Sequence, residues 1–210
     1  MLSTLFYKVL QTLYVSFRTM GKKANLSNFT FAEYIALIWF SLDAFTHLTI
    51  ELGYVYLALT STAKYSDTYL GHIWREYGRA DARWAVRDPT VISLEILTVC
   101  IGVLCLFQVY AVATRAAFRH PLQMVICVAE LYGGWMTFAP EWIDGSPNLN
   151  GSSFALMWIY LVFMNGLWVV VPALLLWDSY ARLTEVYLLL CYDNVSKVIL
   201  YVYVFIYAGY

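Results

Sequence analysis

Residues 31–59 of this chain read FAEYIALIWFSLDAFTHLTIELGYVYLAL, an apolar run that carries the ionisable residues Glu33, Asp43, His47 and Glu51. About 20 consecutive apolar residues are enough for a helix to cross the hydrocarbon core of a bilayer. The stretch from Phe31 to Leu59 is therefore predicted to be a membrane-spanning helix. Ionisable side chains are rare inside membranes, so those in this stretch indicate a structural or functional need.

The composition of the whole chain agrees with a membrane protein. Of its 210 residues, 61% are hydrophobic and 13% are charged, and the mean hydropathy is +0.63, far above that of an ordinary soluble domain. The net charge is -1 and the basic residues are scattered, so nucleic acid is not an expected partner. The four cysteines form no CxxC pair, and neither a disulfide framework nor a zinc site is predicted.

The predicted fold class is all-α, a polytopic transmembrane helix bundle with four spans. Apolar periodicity predicts the later spans at Val91 to Thr114, Leu122 to Phe138 and Phe154 to Trp177. Pro140 is expected to end the third span, and Asp178 with Arg182 the fourth.

The predicted domain organisation is one transmembrane domain over residues 31–182 with two terminal segments. In residues 1–30, the stretch from Met1 to Phe17 is apolar but carries Lys8 and Gln11, which favours an anchor or an interfacial helix over a cleaved signal peptide. Residues 183–210 are expected to form an apolar tail, and the sequence does not determine whether this tail crosses the membrane. If these terminal segments also cross, the spans number five or six.

The charges of the segments between the spans indicate how the protein is oriented in the membrane. If the spans alternate, the hydrophilic stretch from Ser61 to Pro89 and the polar loop from Glu141 to Ser153 lie on one side of the membrane. The opposite side, expected to be cytosolic because lysine and arginine gather there, holds Lys22, Lys23, Arg115, Arg119 and Arg182.

Asp43, His47 and Glu51 recur at i, i+4 and i+8, which places them along one face of the first helix. Each buried charge costs roughly 2.5 to 3.5 kcal/mol on insertion scales. The three groups could simply satisfy one another as structural contacts between helices. Glu95, Glu130 and Asn165 add polar groups from the other three spans at comparable depth, and this favours a converging intramembrane site.

A histidine and carboxyl groups in an apolar pocket suit proton donation and removal, with acid and base roles divided between two glutamates. A metal site is the alternative, because His47 and Glu51 could both bind one ion. The chain has only three histidines, too few for a diiron oxidase or hydroxylase, so no metal or other cofactor is expected. Trp168, one turn after Asn165, could stabilise a carbocation with its indole face, which points to protonation of an alkene.

These motifs resemble the emopamil-binding protein family, whose shared region is the EXPERA domain and which includes the sterol delta8-delta7 isomerases. The resemblance covers about Ala36 to Asp178. The elements that carry it are, in the family order, FTHLTIE (45–51), WREYGRADARW (74–84), Leu94-Glu95 with Thr98, HPL (120–122), Tyr132-Gly133 and VFMNGLW (162–168).

The resemblance implies a five-span endoplasmic-reticulum enzyme, often dimeric, that moves a ring double bond of a sterol without a cofactor. A carboxyl group assisted by His47 would protonate the alkene, Trp168 would stabilise the tertiary cation, and a second carboxylate would remove a neighbouring proton. The implied catalytic residues are His47, Glu51 and Glu95. The implied substrate-binding residues are Thr98, Asn165, Trp168, Tyr77 and Asp81, and Asp43, Glu130 and Tyr132 are assigned supporting roles. The implied partners are a sterol or related polycyclic lipid, membrane lipids, cationic amphiphilic amines as inhibitors, and a second copy in a homodimer.

The chain departs from the family pattern at several places. Around Tyr132-Gly133 it has Glu130 before and Gly134 after, which adds one acid and removes another, and its tail is apolar where the family is basic. Two alternatives to a sterol isomerase therefore stay open. One is an isomerase or cyclase of a specialised polycyclic terpenoid, and the other is a sterol-binding protein without catalysis.

Overall fold

The computed structural model describes residues 29–207. Its first helix, α1, is α-helical over Phe31–Phe45, π-helical over Thr46–Glu51 and α-helical again over Leu52–Thr60. The other helices are α2 (Tyr69–Tyr77), α3 (Pro89–Ala113), α4 (Arg119–Ile143) and α5, which is π-helical over Ala155–Met164 and α-helical over Asn165–Tyr207. Two short 3-10 turns, Ala63–Tyr65 and Ala82–Trp84, flank α2.

Four helices in the described part of the chain, α1, α3, α4 and α5, are long and apolar enough to cross a membrane, which confirms the predicted fold class. Helix α4 packs against α5 and α3, α3 packs against α1, and α1 also contacts α5. Much of their outer surface is exposed and apolar, as expected for a surface that faces lipid. Predictions on residues 1–28 and 208–210 lie outside the described residues.

The helix starts follow local capping chemistry. Thr30 and Glu33 form a reciprocal capping box at the start of α1, with Thr30 N donating to Glu33 Oε2 at 2.8 Å. Glu33 is thereby explained as a helix cap. Asp88 accepts hydrogen bonds from the backbone N–H groups of Thr90 and Val91, and Pro89 opens α3, where its missing N–H costs nothing.

The expected ends of two helices are wrong. Pro140 lies inside α4, which continues to Ile143, because a proline near a helix end removes only one hydrogen bond. Asp178 and Arg182 do not end α5 either. Their charged groups lie 3.7 Å apart at an i, i+4 spacing that supports a continuing helix, and α5 runs on through the predicted tail to Tyr207.

The two polar connections lie together at one end of the bundle, as the alternation of spans predicts. Ala82 N donates to Asn148 O at 3.0 Å, and Asn150 N donates to Ala80 O at 2.8 Å. Asp81 and Leu149 between them form an antiparallel bridge. The resulting layer covers the end of the bundle at which α1 finishes and α3 begins.

Candidate active site

A cavity of about 1070 Å³ opens between the four long helices and α2. This volume is slightly above the range of roughly 300 to 1,000 Å³ for small-molecule sites and is sufficient for a polycyclic lipid. Most of its lining is apolar. Its polar lining residues include His47, Glu51, Tyr77, Glu95, Thr98, Glu130, Asn165 and Trp168.

The π-helical segment of α1 carries His47 and Glu51. The Leu52 N–H hydrogen-bonds to His47 O, five residues back, instead of to the carbonyl four residues back that an α-helix would use. Isolated π-helical turns recur at functional sites in proteins. Here the wider turn lies where the two side chains enter the cavity.

His47 lies between two carboxylates of its own helix. Its Nδ1 is hydrogen-bonded to Glu51 Oε2, and its Nε2 lies 3.0 Å from Asp43 Oδ1. The imidazole is 1% exposed and Asp43 is fully buried. The predicted single face of Asp43, His47 and Glu51 is therefore confirmed, and the ring is fixed between two acids.

Helix α3 brings a second glutamate to this group. Glu95 is buried, its carboxyl group neighbours that of Glu51, and Thr98 Oγ1 donates to Glu95 Oε2 at 3.2 Å. The same hydroxyl lies 2.9 Å from the backbone carbonyl of Glu95. Two carboxyl groups from different helices thus meet in an apolar cavity, next to an imidazole.

Helix α3 can approach α1 closely because Gly102 of α3 faces His47 of α1. A Cβ atom at position 102 would lie 2.7 Å from the Cβ of His47, closer than real side chains come. The absence of a side chain at Gly102 therefore lets the two helices pack at the depth of the site. The sequence offered no signal for this contact.

Asn165 links α5 to the polar segment that contains α2. Its Nδ2 lies 2.9 Å from the hydroxyl of Tyr77 and 2.9 Å from the carbonyl oxygens of Tyr160 and Leu161, which belong to the π-helical segment before it. Burial raises the pKa of Tyr77 to about 12, so this phenol stays neutral. The asparagine thus stabilises the end of the π-helical segment and the wall of the cavity together.

Trp168 also lines the cavity, as predicted from its spacing to Asn165. Its Nε1 donates to Asp43 Oδ1 at 2.8 Å, and its ring meets the edge of Trp39 with centroids 5.4 Å apart. Cys105 Sγ donates to the other oxygen of Asp43 at 3.2 Å. Sequence reasoning assigned no role to Trp39 or Cys105, because apolar residues in a span carry no signal beyond burial.

A cluster of aromatic rings closes the end of the cavity near α2. Trp74 and Trp84 stack with centroids 4.8 Å apart and an interplanar angle of 8°, and both pack against Tyr54 and Tyr77. The two tryptophans are the first and last residues of the WREYGRADARW motif. This motif therefore builds a wall of the cavity.

Three residues lie differently from their predicted places. Asp81 does not line the cavity: its carboxylate is buried in a pair with Arg83, with Oδ2 2.6 Å from Nη2. Tyr132 is 54% exposed and borders a shallow groove on the lipid-facing surface of α3 and α4. Glu130, expected to support the site from behind, is in the cavity lining.

Among the described residues, one group of side chains could hold a metal ion, and two of its three members, Asp43 and His47, already make other polar contacts. Asp43, His47 and Glu130 each offer one ligand atom, all within 4.8 Å of one another. Both oxygens of Asp43 already accept hydrogen bonds, from Trp168 and Cys105. We therefore interpret the group as part of an acid–base network.

Comparison with known proteins agrees with this geometry. A family model described as EXPERA (EXPanded EBP superfamily) matches residues 69–179. The 3-beta-hydroxysteroid-Delta(8),Delta(7)-isomerase of Cavia porcellus is 32% identical over 178 residues, 84% of this chain and 76% of that protein. A probable enzyme of the same name from Oryza sativa subsp. japonica is 30% identical over 70% of this chain and 66% of its own length.

A plant relative with a different name matches more of the chain. Isomeliandiol synthase MOI2 of Melia azedarach is 28% identical over 196 residues, 93% of this chain and 87% of that protein. The match to the mouse sterol isomerase spans 65% of that enzyme, slightly less than two thirds. The family model covers more than half of the chain, including the motifs on α2 to α5 that build the cavity. This chain therefore belongs to the EXPERA family.

Proposed function

We propose that this chain is an intramembrane isomerase that shifts a ring double bond of a sterol from delta8 to delta7. The observation that carries the proposal is the pair of neighbouring carboxyl groups, Glu51 and Glu95, which flank an apolar cavity next to His47. Such a pair can give a proton to one carbon and take one from another. The names of the relatives at 30–32% identity support the sterol as substrate.

The reaction needs one acid and one base on the same substrate. A protonated carboxyl group donates its hydrogen to one alkene carbon and leaves a tertiary carbocation on the other. The indole face of Trp168 stabilises this cation, and the other carboxylate removes a proton from a neighbouring carbon so that the new double bond forms. Thr98 and Asn165 hold Glu95 and Tyr77 in place by hydrogen bonds.

Removal of either carboxyl group tests the proposal. We expect Glu51→Gln and Glu95→Gln each to lower turnover of a delta8 sterol by roughly 10²- to 10⁴-fold, the usual contribution of a general acid or base. The control is Glu185→Gln, because Glu185 is 64% exposed on α5, away from the cavity. Full activity in both cavity variants would refute the mechanism. Sterol binding by the unmutated chain without turnover would instead indicate a binding protein.

We further propose that cationic amphiphilic amines compete with the substrate. A protonated amine resembles the cationic intermediate in charge, and the cavity offers carboxylates and an aromatic face to it. Competitive inhibition kinetics with an alkyl ammonium compound and its neutral carbon analogue test this. Equal inhibition by both would count against a cationic intermediate.

We propose that this multi-pass protein lies in the endoplasmic-reticulum membrane and forms a homodimer, because the family resemblance implies this location and this oligomeric state. Imaging of a tagged full-length chain against organelle markers tests the location. Cross-linking in native membranes tests the dimer.

A second substrate class is supported by the plant relative. The match to isomeliandiol synthase MOI2 covers more of this chain than the matches to the sterol isomerases do, at slightly lower identity. The same proton chemistry would serve a specialised polycyclic terpenoid. Sterol profiling of a sterol-isomerase-deficient strain, with and without this chain, separates the two: rescue supports the sterol, and failure with stable expression favours the terpenoid.

A further inference from the structure

The carboxylate of Asp43 is contacted from three helices. Its Oδ1 accepts a hydrogen bond from Trp168 Nε1 of α5 at 2.8 Å and lies 3.0 Å from His47 Nε2 of its own helix, α1. Its Oδ2 accepts a hydrogen bond from Cys105 Sγ of α3 at 3.2 Å. The side chain is fully buried, so these protein groups take the place of water around it.

The carboxyl group of Glu130, on α4, completes the surroundings of Asp43. One polar atom each of Asp43, His47 and Glu130 lies within 4.8 Å of the others. The carboxyl group of Glu130 interacts with that of Asp43 and with the indole of Trp39. Although the Glu130 side chain borders the cavity, both of its carboxyl oxygens are buried. Glu130 therefore interacts with protein groups and not with a molecule in the cavity.

The two neighbouring carboxyl groups differ in the donors around them. Asp43 is surrounded by an indole, a thiol and an imidazole, whereas Glu130 interacts with one donor, the indole of Trp39. Two carboxyl groups side by side in an apolar site cannot both be ionised, so one of them holds a proton. Because hydrogen-bond donors stabilise the ionised form, the surroundings favour an ionised Asp43 and a protonated Glu130.

We propose that Glu130 is a positioning residue that acts on His47 through Asp43. Its protonated carboxyl group donates to Asp43, and the ionised Asp43 keeps a proton on Nε2 of His47. Nδ1 is then the ring nitrogen left to share a proton with Glu51, to which it is hydrogen-bonded. The proton of Glu130 stays in place during turnover. The consequence for catalysis rests on the proposed isomerase function, whereas the arrangement of the protons does not.

Two substitutions of Glu130 test the proposal, because a glutamine side chain keeps both of its interactions and a leucine side chain keeps neither. The amide of glutamine can donate to Asp43 and accept from Trp39, as a protonated carboxyl group does. In the full chain in lipid nanodiscs, we expect Glu130→Gln to keep kcat for a delta8 sterol within about threefold. Glu130→Leu should lower kcat roughly 10- to 100-fold through loss of a hydrogen bond to a charged group, with KM within about twofold.

A spectroscopic measurement follows His47 without any substrate. The chain has three histidines, His47, His72 and His120, so ¹⁵N-histidine labelling gives few signals, and His47→Gln assigns those of His47. In the unmutated chain and in Glu130→Gln, we expect solid-state NMR to show a protonated Nε2. In Glu130→Leu, Asp43 loses a donor and competes better with His47 for the proton. The Nε2 signal should therefore move towards that of an unprotonated nitrogen.

Cys105 provides a second pair of variants at another donor to Asp43, which keeps the test independent of the folding of Glu130→Leu. Cys105→Ser keeps a donor and Cys105→Ala removes it. Cys105→Ala should therefore shift the Nε2 signal in the same direction as Glu130→Leu, and Cys105→Ser should not. Cys100→Ala, at an exposed position on the same helix, is the control. Thermal unfolding shows which variants have folded.

The outcomes separate this proposal from the isomerase function. A loss of roughly 10²- to 10⁴-fold in Glu130→Gln would mean that Glu130 exchanges protons with the substrate, and it would overturn the positioning role. The same Nε2 signal in Glu130→Gln and Glu130→Leu would show that Glu130 does not act on His47, whatever their kcat values. The expected Nε2 signals in a chain that turns over no delta8 sterol would overturn the isomerase function and support the arrangement of the protons.

Discussion

At the scale of single residues, Trp168 combines two contacts that are usually made by different side chains. Its Nε1–H fixes the carboxylate of Asp43, which faces His47, while its ring lines the cavity. One residue thus orients the acid network and offers a π-face to a cation. The two contributions are separable by substitution, because phenylalanine keeps the face and loses the donor.

We expect Trp168→Phe to retain more activity than Trp168→Leu. Cation–π contacts contribute about 0.5 to 2 kcal/mol, so loss of the face should lower kcat by a further factor of roughly 2 to 30. Steady-state kinetics of both variants on a delta8 sterol measure the ratio. Equal kcat values would show that the indole face does not stabilise the transition state. Trp177→Leu, at an exposed position on α5, is the control.

The raised pKa of Tyr77 predicts that the stability of the folded chain changes with pH. Burial raises its pKa to about 12 in the folded chain, against about 10 for an exposed tyrosine. The unfolded state therefore loses the proton first, and the contribution of Tyr77 to stability, complete below pH 10, declines as the pH rises from 10 towards 12. We expect the difference in unfolding temperature between the unmutated chain and Tyr77→Phe to shrink from pH 9 to pH 11. A constant difference would mean that Tyr77 ionises equally in both states.

At the scale of elements, the sequence was sufficient to locate the four long helices, although not the ends of α4 and α5, and to predict that their polar residues share one cavity. Spacing alone predicted that Asp43, His47 and Glu51 share a face, and depth along the spans predicted that Glu95 and Asn165 line the same cavity as His47. The π-helical segments Thr46–Glu51 and Ala155–Met164 could not be predicted, because apolar periodicity does not distinguish one widened turn in a continuous apolar helix. Pairwise contacts such as Trp168 with Asp43 depend on packing between helices and leave no local pattern.

The contact of α1 with α3 at Gly102 gives a prediction about packing. Gly102→Ala would gain about 0.5 to 1 kcal/mol from helix propensity but would force the His47 backbone and Cβ away, at about 1 to 3 kcal/mol. We expect a lower unfolding temperature and reduced turnover. Gly166→Ala is the control for stability, because a Cβ there has no atom within 4 Å. A Gly102→Ala variant as stable and active as the unmutated chain would show that the two helices can separate freely.

At the scale of the whole molecule, one buried arginine joins the two polar connections above the cavity. Arg83 pairs with Asp81 on its own segment and lies 3.4 Å from Glu141 at the end of α4. Its Nη2 also donates to Thr137 O at 2.8 Å. Burial disfavours the charge of Arg83, yet the hydrogen bond and charge of Asp81 hold its pKa above the ordinary value. The guanidinium therefore fixes the layer that contains α2 to the end of the bundle.

Loss of this arginine should affect the whole chain. Breaking a buried ion pair costs about 3 to 5 kcal/mol because the remaining carboxylates lose their partner. We expect Arg83→Met to lower the unfolding temperature, followed by tryptophan fluorescence, by at least about 6 °C. Arg79→Met is the matched control, since Arg79 is 63% exposed and pairs with exposed Glu76. Equal effects of both would mean that Arg83 does not hold the layer in place.

The closeness of Glu51 and Glu95 has a consequence for bioenergetics. Each elementary charge carried across a membrane exchanges about 2.3 kcal/mol with every 100 mV of membrane potential. When donor and acceptor are neighbouring groups in one cavity, the proton travels a small part of the bilayer thickness and no net charge crosses. The proposed reaction is thus electroneutral overall, and its equilibrium is independent of the voltage across whichever membrane holds the protein.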